Sequence, residues 1–358
     1  MKKYSVGILG ATGTVGQKYI LLLENHPWFE VKCLAASEKS AGKTYENAVG
    51  GKWIVSKNIP EKFKNITVLD AVKDAKKIAS SVDFVFCAVN LGKEETKGLE
   101  ETYAKLECPV ISNNSANRGT DDVPMIIPEI NANHMEIIPE QRKRLGTKRG
   151  FIAVKSNCSI QCFVPALHPL KVLGIKSVLV CTYQAISGAG KNFDSWPEMK
   201  DNLIPYIPGE EEKSEKEPLK IWGKVQGAKI IPEEKIKITS QCLRVPVTEG
   251  HTAAVFTSFE KKFKIDDVIN LWNDFQPDEK SKNLPSSPEK FLTYFEENDR
   301  PQIFSERNLY GGMGVSIGRL RSDTQYDIKF VSMSHNTVRG AAGGAILLAE
   351  MLCRENYI

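Results

Sequence analysis

The feature that most constrains the fold is a short apolar run that ends in a glycine-rich turn near the start of the chain. The run Tyr4 to Leu9 predicts a buried strand, and the pattern from Val15 to Asn25 predicts a helix. Between them stands G-A-T-G-T-V-G, with Gly10, Gly13 and Gly16. Glycines there let the backbone approach a pyrophosphate, whose charge is favoured at a helix N-terminus. The turn therefore predicts a dinucleotide site, the alternative being a turn that only packs the helix on the strand.

Strand and helix patterns continue to alternate through the first 150 residues. Apolar runs predict further strands at 31–36, 83–89 and 109–112, with a helix over 92–106. Such alternation is typical of a parallel, doubly wound sheet. We therefore predict an α/β fold in which residues 1–150 form a Rossmann dinucleotide-binding domain.

The middle of the chain has a different pattern. Long strand-like runs occupy 176–186, 236–247 and 251–260, and residues 326–334 alternate at period two. They predict a second, α+β domain with a mostly antiparallel sheet, beginning near residue 151. A chain of 358 residues is long enough for two domains. The charged stretch 209–220 and the Pro- and Ser-rich stretch 276–290 have the composition of solvated surface.

Composition excludes several classes of protein. The longest apolar stretch lies near the C-terminus, is interrupted by Glu350, and is too short to span a bilayer. A net charge of only +4 argues against nucleic acid as the main partner and fits small anionic ligands. Eight cysteines without a Cys-x-x-Cys pair give no sign of a metal site or a disulfide framework. They predict a reducing, cytoplasmic location.

One cysteine stands where a nucleophile could be activated. Cys158, in S-N-C-S-I-Q, follows the apolar run 151–154 and precedes a helical pattern over 163–173. A thiol between a strand end and a helix N-terminus is expected to ionise more readily, because the helix dipole favours the thiolate. The alternative is an inert core cysteine, which is how we interpret Cys162.

Polar side chains at the ends of the later strands are candidates for the same site. The strand pattern that ends at Gln184 runs into a loop of small residues at 187–190, where a ligand could approach closely. Arg244 and His251 stand on either side of a tight turn and could converge. His251 is a candidate acid or base, and His335 is a weaker one.

The choice of cofactor is predicted from the residues after the second strand. Ser37, Lys39 and Ser40 could donate hydrogen bonds to a 2′-phosphate, so we predict NADP. Glu38 complicates this prediction, because its carboxylate would repel that phosphate unless it points away. The residues assigned to the cofactor in this half of the chain are Gly10, Thr12, Gly13, Thr14, Val15, Gly16, Ser37, Lys39 and Ser40.

Seven motifs, in order over nearly the whole chain, resemble those of aspartate-semialdehyde dehydrogenases of the archaeal and fungal branch. They are GATGTVG at 10–16, SNNSANR at 112–118, SNCSIQ at 156–161, TYQAISGAG at 182–190, GEEEK at 209–213, RVPVTEGH at 244–251 and HNTVRGAAGG at 335–344. The resemblance implies that a C-terminal helix within 336–358 completes the Rossmann domain. It also implies that residues 151–335 form a catalytic and dimerisation domain, in a homodimer or homotetramer.

The activity implied by this resemblance is NADPH-dependent reduction of L-4-aspartyl phosphate to L-aspartate 4-semialdehyde, with release of phosphate. The product leads to lysine, threonine and methionine. Cys158 would attack the acyl carbon to give a thioester, and His251 would act as the acid/base group. Gln184 would orient the substrate, and Asn157 would hold the oxyanion or fix the backbone of its neighbour.

The resemblance also implies which side chains bind the substrate and the rest of the cofactor. Arg244 would clamp the α-carboxylate with its planar guanidinium. Arg118, which follows Asn117, and Lys213 would bind phosphate. Glu210 would bind the ammonium group, although the assignment within Glu210, Glu211 and Glu212 stays open. The remaining residues matched to the cofactor are Ser187, Gly188, Gly190 and Asn336.

Three other functions stay open at this point. A malonyl-CoA reductase on the same fold would keep Cys158 and His251 and use coenzyme A in place of phosphate. An N-acetyl-glutamyl-phosphate reductase is a more distant relative, which the GEEEK and RVPVTEGH motifs disfavour. A dinucleotide-binding redox sensor would need Cys158 but neither Arg244 nor Lys213.

Overall fold

A parallel six-stranded sheet forms the first half of the fold. The computed structural model describes residues 3–55 and 57–358. The strand order is β3-β2-β1-β4-β5-β6, which is the Rossmann order and confirms the predicted domain type. The strands are β1 (Tyr4–Leu9), β2 (Phe29–Ala36), β3 (Leu69–Asp70), β4 (Phe84–Cys87), β5 (Val110–Ser112) and β6 (Ile152–Val154).

The second sheet has the order β10-β7-β11-β14-β13-β12, and a separate hairpin pairs β8 with β9. Its three central pairings are antiparallel, whereas the outer pairs β10–β7 and β12–β13 are parallel. The sheet is therefore mixed, with an antiparallel centre. The strands are β7 (Ile175–Gln184), β8 (Lys224–Gln226), β9 (Lys229–Ile231), β10 (Lys237–Arg244), β11 (His251–Phe259), β12 (Leu292–Phe295), β13 (Val315–Ser322) and β14 (Ile328–Ser334).

Helices connect and cover these strands. The α-helices are α1 (Thr14–Leu22), α2 (Tyr45–Val49), α3 (Glu61–Lys64), α4 (Ala75–Ser81), α5 (Lys93–Lys105), α6 (Pro128–Asn131), α7 (Ile138–Leu145), α8 (Ile160–Leu167), α9 (Glu210–Ile221), α10 (Ile265–Asn273), α11 (Ile303–Glu306) and α12 (Gly343–Arg354). Short 3-10 turns lie at Gly50–Lys52, Ala132–Ile137, His168–Leu173, Ile186–Ala189, Pro197–Met199, Glu279–Ser281 and Leu309–Gly312. In the described residues, no helix is long and apolar enough to cross a membrane.

The charged stretch 209–220 is helical, as α9, while 276–290 contains only the short turn Glu279–Ser281. The parallel sheet runs to Val154, past the boundary predicted at residue 150, because β6 pairs with β5. We therefore propose to place the division between the two domains after Val154.

The C-terminal segment returns to the first sheet. A π-helical turn, Val338–Ala342, leads directly into α12. Residues Gly343 to Cys353 of α12 are all buried. Ile346 and Leu348 belong to the same apolar cluster as Val6 and Ile8 of β1. Burial on all sides explains why this stretch is apolar except for Glu350, rather than amphipathic.

Candidate active site

The register of the second sheet brings three predicted site residues to one end. β7 lies between β10 and β11. Arg244, the last residue of β10, pairs with Gln184, the last residue of β7. Thr252 of β11 pairs with Tyr183, so His251 stands at the same end. Arg244 and His251 therefore converge across an intervening strand.

Cys158 lies in the turn between β6 and α8, and its side chain meets His251. The Sγ of Cys158 is 3.4 Å from Nε2 of His251. The backbone N–H of Ala185 donates to Nδ1 of the same ring at 3.1 Å. Burial first, and then the charge of Arg244, lower the pKa of His251 to about 3. The ring is therefore neutral near pH 7, and its Nε2–H points at the sulfur.

The thiol is not ionised by position alone, contrary to the expectation from the helix dipole. α8 begins at Ile160, beyond the cysteine. Burial raises the pKa of Cys158, and the carboxylate of Glu210 raises it further. Three cations act in the opposite direction, namely Lys155, Arg118 and Arg244. The thiolate therefore depends on nearby positive charge.

Glu210, the first residue of α9, stands at the centre of a polar network. It accepts hydrogen bonds from Asn157 Nδ2 at 2.9 and 3.0 Å, from Gln184 Nε2 at 3.2 Å and from Lys213 Nζ at 2.8 Å. Residues three apart on a helix share a face, so Lys213 follows Glu210 into the site. Glu211 instead accepts from Gln241 Nε2 at 2.9 Å. The structure thus brings Glu210, rather than Glu211, to the network.

Glu217 is a site residue that the sequence analysis missed. It accepts from the backbone N–H of Asn157 at 2.7 Å and from Arg118 Nη1 at 2.9 Å. Arg118 Nη2 donates to the carbonyl of Asn113 at 2.7 Å, while its buried Nε has no partner in the described residues. The available signal was spacing, because Glu217 lies about two helical turns after Glu210.

Asn117 is placed differently from the other predicted substrate residues. Its side chain is buried; Nδ2 donates to Glu100 at 2.7 Å, and Oδ1 accepts from Thr120 at 3.1 Å. Through these two hydrogen bonds, Asn117 holds the loop that carries Arg118.

At the ends of β1, β2 and β4, the glycine turn borders a cavity of about 600 Å³. A Cβ on Gly10 would lie 2.3 Å from the carbonyl oxygen of Ala88, and one on Gly16 would lie 2.3 Å from that of Gly10. Gly10 also has a φ of 85°, so both positions require glycine. The cavity is lined by Gly10, Thr12, Gly13, Ala36, Ser37, Glu38, Lys52, Asp70, Ala71, Val72, Lys73, Ala88, Val89, Asn90 and Leu91.

The cations that line this cavity are Lys52 and Lys73, and the predicted Lys39 is not among them. Lys39 is exposed and is absent from the lining, as is Ser40, while Lys52 and Lys73 contribute to it. Lys73 forms an ion pair with the carboxylate of Glu38. Lys73 follows β3, far along the chain, so only the pairing of β2 with β3 brings it near Glu38.

The loop after β7 contacts both the glycine turn and the cysteine site. A Cβ on Gly190 would lie 3.2 Å from Thr14 Oγ1, whereas one on Gly188 would lie 2.8 Å from Arg244 Nη1. Asn336 Nδ2 donates to Ser187 Oγ at 2.9 Å. Val15, in the first turn of α1, completes the glycine turn. The loop residues predicted to touch the cofactor thus lie between the glycine turn and the cysteine site.

Comparisons with known proteins match both halves of the chain. Residues 5–138 match the family model described as semialdehyde dehydrogenase, NAD binding domain, and residues 165–339 match the corresponding dimerisation domain. The aspartate-semialdehyde dehydrogenase of Archaeoglobus fulgidus is 42% identical over 99% of this chain and 100% of its own. That of Saccharomyces cerevisiae is 38% identical over 99% of both chains.

A solved structure agrees with these sequence matches. The crystal structure of aspartate semialdehyde dehydrogenase with NADP from Candida albicans superposes with a TM-score of 0.88, at 35% identity over 100% of both chains. Together with these matches, a Rossmann sheet with a glycine turn and a cysteine in contact with a histidine define an NADP-dependent oxidoreductase. More particularly, the chain belongs to the aspartate-semialdehyde dehydrogenase family, as its motifs predicted.

Proposed function

We propose that this chain reduces L-4-aspartyl phosphate to L-aspartate 4-semialdehyde with NADPH and releases phosphate. The observation that carries the proposal is the contact of 3.4 Å between Cys158 Sγ and His251 Nε2, with Arg244 at the same end of the sheet. A thiol suits this reaction, because sulfur is both a strong nucleophile and a good leaving group.

Cys158 carries the covalent chemistry in this proposal. Its sulfur forms a bond to the acyl carbon as the bond to phosphate breaks, which gives a thioester. When bound, NADPH would supply the hydride that reduces the acyl group, and the bond between carbon and sulfur then breaks, which releases the aldehyde and returns the thiolate of Cys158. His251 donates its Nε2–H to the sulfur, or to the oxygen that becomes negative, and so stabilises the charge at each stage. The backbone N–H of Ala185 keeps the ring in that tautomer.

Arg244 is proposed to bind the α-carboxylate of the substrate, and Glu210 is proposed to bind its ammonium group. Arg244 is 6% exposed, and Nη1 donates to the carbonyl of Ala185 at 2.7 Å, which fixes the direction of the guanidinium. Its other donors suit a carboxylate, which accepts two parallel bonds. Glu210 offers a carboxylate for the ammonium group and holds Gln184 in place.

Asn157 is proposed to position the turn that carries the nucleophile. Its Nδ2 is held by Glu210, while its Oδ1 accepts from the backbone N–H of Ser159 at 2.8 Å. This supports the second of its two predicted roles, which was to fix the backbone beside Cys158.

Arg118 and Lys213 are proposed to bind the phosphate. They line a cavity of about 480 Å³ that also receives Lys93, Lys216 and Lys220. The unpartnered Nε of Arg118 is a donor that a phosphate oxygen would satisfy. A partly buried arginine and a lysine suit inorganic phosphate and are not required by a redox sensor.

The residues around the glycine turn fit NADP, which is the cofactor of this oxidoreductase. The turn leaves room for a pyrophosphate at the N-terminus of α1, where the helix dipole favours it. Lys73 neutralises the charge of Glu38, which the sequence analysis identified as the obstacle to a 2′-phosphate. Ser37, Lys52 and Lys73 are the residues we propose near that phosphate.

The assembly of the protein is proposed from its family match, and its location from its cysteines. The match to a dimerisation domain supports an oligomer, and we propose a homodimer or homotetramer. All eight cysteines lie in the described residues and are unpaired there, which fits the predicted reducing, cytoplasmic location.

The experiment that tests this function follows NADP reduction at the nicotinamide absorbance with aspartate semialdehyde and phosphate. We expect reduction that requires phosphate and is lost in Cys158→Ala, while NADP binding is retained. Malonyl-CoA with NADPH serves as the comparison. Turnover of malonyl-CoA without phosphate-dependent turnover of the semialdehyde would replace the proposed function with that of the coenzyme A enzyme.

A further inference from the structure

Lys155 is a fully buried amine beside the nucleophile that the proposed reaction does not use. It follows β6 and is 1% exposed. Its Nζ donates to the carbonyl of Ser156 at 3.0 Å, and none of the ion pairs in the described part of the chain includes it. A buried ammonium without a counter-ion costs several kcal/mol in typical proteins. Lys155 therefore either loses its proton or is stabilised by a negative charge nearby.

The C-terminal segment shows how close Lys155 lies to the cysteine. A Cβ on Gly340 would lie 2.9 Å from Cys158 Cβ, and a Cβ on Gly344 would lie 2.8 Å from Lys155 Cε. These two glycines are four residues apart on one helical segment, which corresponds to roughly 6 Å along its axis. The side chains of Cys158 and Lys155 therefore pack against the same helical segment, at positions about one turn apart.

The charges around Lys155 make its ionisation depend on the cysteine. Burial and the charges of Arg118 and Arg339 lower the pKa of Lys155 to about 7, while Cys158 and Glu217 act to raise it. Reciprocally, the charge of Lys155 lowers the pKa of Cys158. A protonated Lys155 and an ionised Cys158 therefore stabilise each other.

The other groups that face the sulfur have their own partners. Arg118 is paired with Glu217 at 2.9 Å. Arg244 donates to the carbonyl of Ala185, and we propose it for the substrate carboxylate. His251 is neutral, and Glu210 carries negative charge against the thiolate. Three described cations act on the sulfur, namely Arg118, Arg244 and Lys155. Of these, Lys155 has no carboxylate partner in the described residues and no ligand in the proposed reaction.

We propose that Lys155 is a positioning residue whose ammonium group stabilises the thiolate of Cys158, both when it attacks and when it leaves. The proposal rests on Cys158 as the nucleophile of the proposed function. It does not depend on which acyl donor is used, so it can be tested without substrate.

The test is the pH dependence of Cys158 alkylation by iodoacetamide in the full-length protein. Mass spectrometry of the peptide that contains Cys158 separates it from the other cysteines. We compare the wild type with Lys155→Met and Lys155→Gln. Glutamine lacks the charge but keeps a donor for the carbonyl of Ser156. We expect both variants to need a pH about one unit higher for half-maximal rate, which means roughly tenfold slower alkylation near pH 7.

The control is Lys176→Gln, because Lys176 is an exposed lysine on β7, and it should leave the profile unchanged. A profile of Lys155→Gln that coincides with the wild type would overturn the proposal. In that case the hydrogen bond to Ser156, rather than the charge, would be the function of Lys155. NADP binding shows that each variant is folded, and Lys155→Gln decides the question if Lys155→Met does not fold. A shifted profile without phosphate-dependent turnover would contradict the proposed function alone.

Discussion

The site around Cys158 places a neutral histidine against a thiol whose pKa is raised. An imidazole that already accepts the N–H of Ala185 at Nδ1 cannot readily become an imidazolium there. The positive charge that helps ionise the thiol therefore has to come from Arg118, Lys155 and Arg244. Because thiols are oxidised through the thiolate, the raised pKa protects the resting cysteine from oxidation.

At the scale of single residues, Arg244→Lys should lower kcat/KM strongly. Lysine keeps the charge but cannot bind the carbonyl of Ala185 and a carboxylate at once in the planar geometry of a guanidinium. We expect a loss of about 2–5 kcal/mol in transition-state stabilisation, as for other broken buried charge pairs. Steady-state kinetics with aspartate semialdehyde would measure it.

The matched control for this variant is Arg321→Lys. Arg321 also donates to a backbone carbonyl, that of Arg319, but it is exposed at the end of β13. Its kcat/KM should equal that of the wild type. An unchanged kcat/KM in Arg244→Lys would mean that another residue holds the carboxylate.

Among the structural elements, most strands of the two sheets were predicted, whereas β3, β8, β9, β12 and β13 and the order of the strands were not. The apolar runs located β7, β10 and β11 to within a few residues, because burial leaves a pattern in the local sequence. That β7 stands between the other two depends on long-range hydrogen bonding, which the local pattern does not contain. For the same reason, the cluster of Gln184, Arg244 and His251 was expected from motifs, whereas Glu217 and Lys73 were missed.

The π-helical turn Val338–Ala342 packs against the nucleophile through Gly340. Gly340 leaves no room for a side chain, because a Cβ there would lie 2.9 Å from Cys158 Cβ and 3.3 Å from its Cα. Gly340→Ala should therefore displace the nucleophile and lower both turnover and iodoacetamide alkylation by roughly tenfold or more, while NADP binding persists.

The control for this variant is Gly98→Ala on α5, where a Cβ would meet nothing within 4 Å. Alanine at such a helical position should keep full activity and raise the free energy of unfolding by roughly 0.5–1 kcal/mol. Full activity in Gly340→Ala would show that the C-terminal segment does not constrain Cys158.

For the whole molecule, the last element of the chain ties both sheets together. Arg339 is 1% exposed and forms an ion pair with Glu129 of α6, with a bond of 3.0 Å between Nη1 and Oε2. Its Nε donates to the carbonyl of Met313 at 2.7 Å, just before β13. On α12, Glu350 accepts from His26 at 2.7 Å and from Ser286 at 2.6 Å. These contacts explain why a helix of the last residues belongs to the first sheet, which composition alone does not indicate.

Removing Arg339 should destabilise the whole fold. Arg339→Met leaves the carboxylate of Glu129, which is 2% exposed, without its partner. We expect the free energy of unfolding to fall by about 3–5 kcal/mol, measured by urea titration. Lys32→Met is the control, because the pair of Lys32 with Glu30 lies on the surface, and its unfolding curve should match the wild type. Equal curves for Arg339→Met would show that the buried pair contributes nothing net.

The stability of the whole molecule should also depend on pH through its buried histidines. Burial is the main cause that lowers the pKa of His168 to about 4, of His251 to about 3 and of His335 to about 4. At His335, the charge of Glu249 acts in the opposite direction. In the unfolded chain, each histidine takes up a proton near pH 6.5.

Between pH 6.5 and about 4, the unfolded chain therefore binds protons that the folded chain does not, and the free energy of unfolding must fall as the pH falls. His168 isolates this effect because it lies outside the active site, in the turn after α8, with its ring against Phe275. We expect His168→Asn to reduce the pH dependence by roughly 1 kcal/mol per pH unit in that window. Urea midpoints at pH 7, 6 and 5 for both proteins would measure the difference. Parallel pH dependences would mean that His168 takes up its proton over the same pH range in the folded and the unfolded protein.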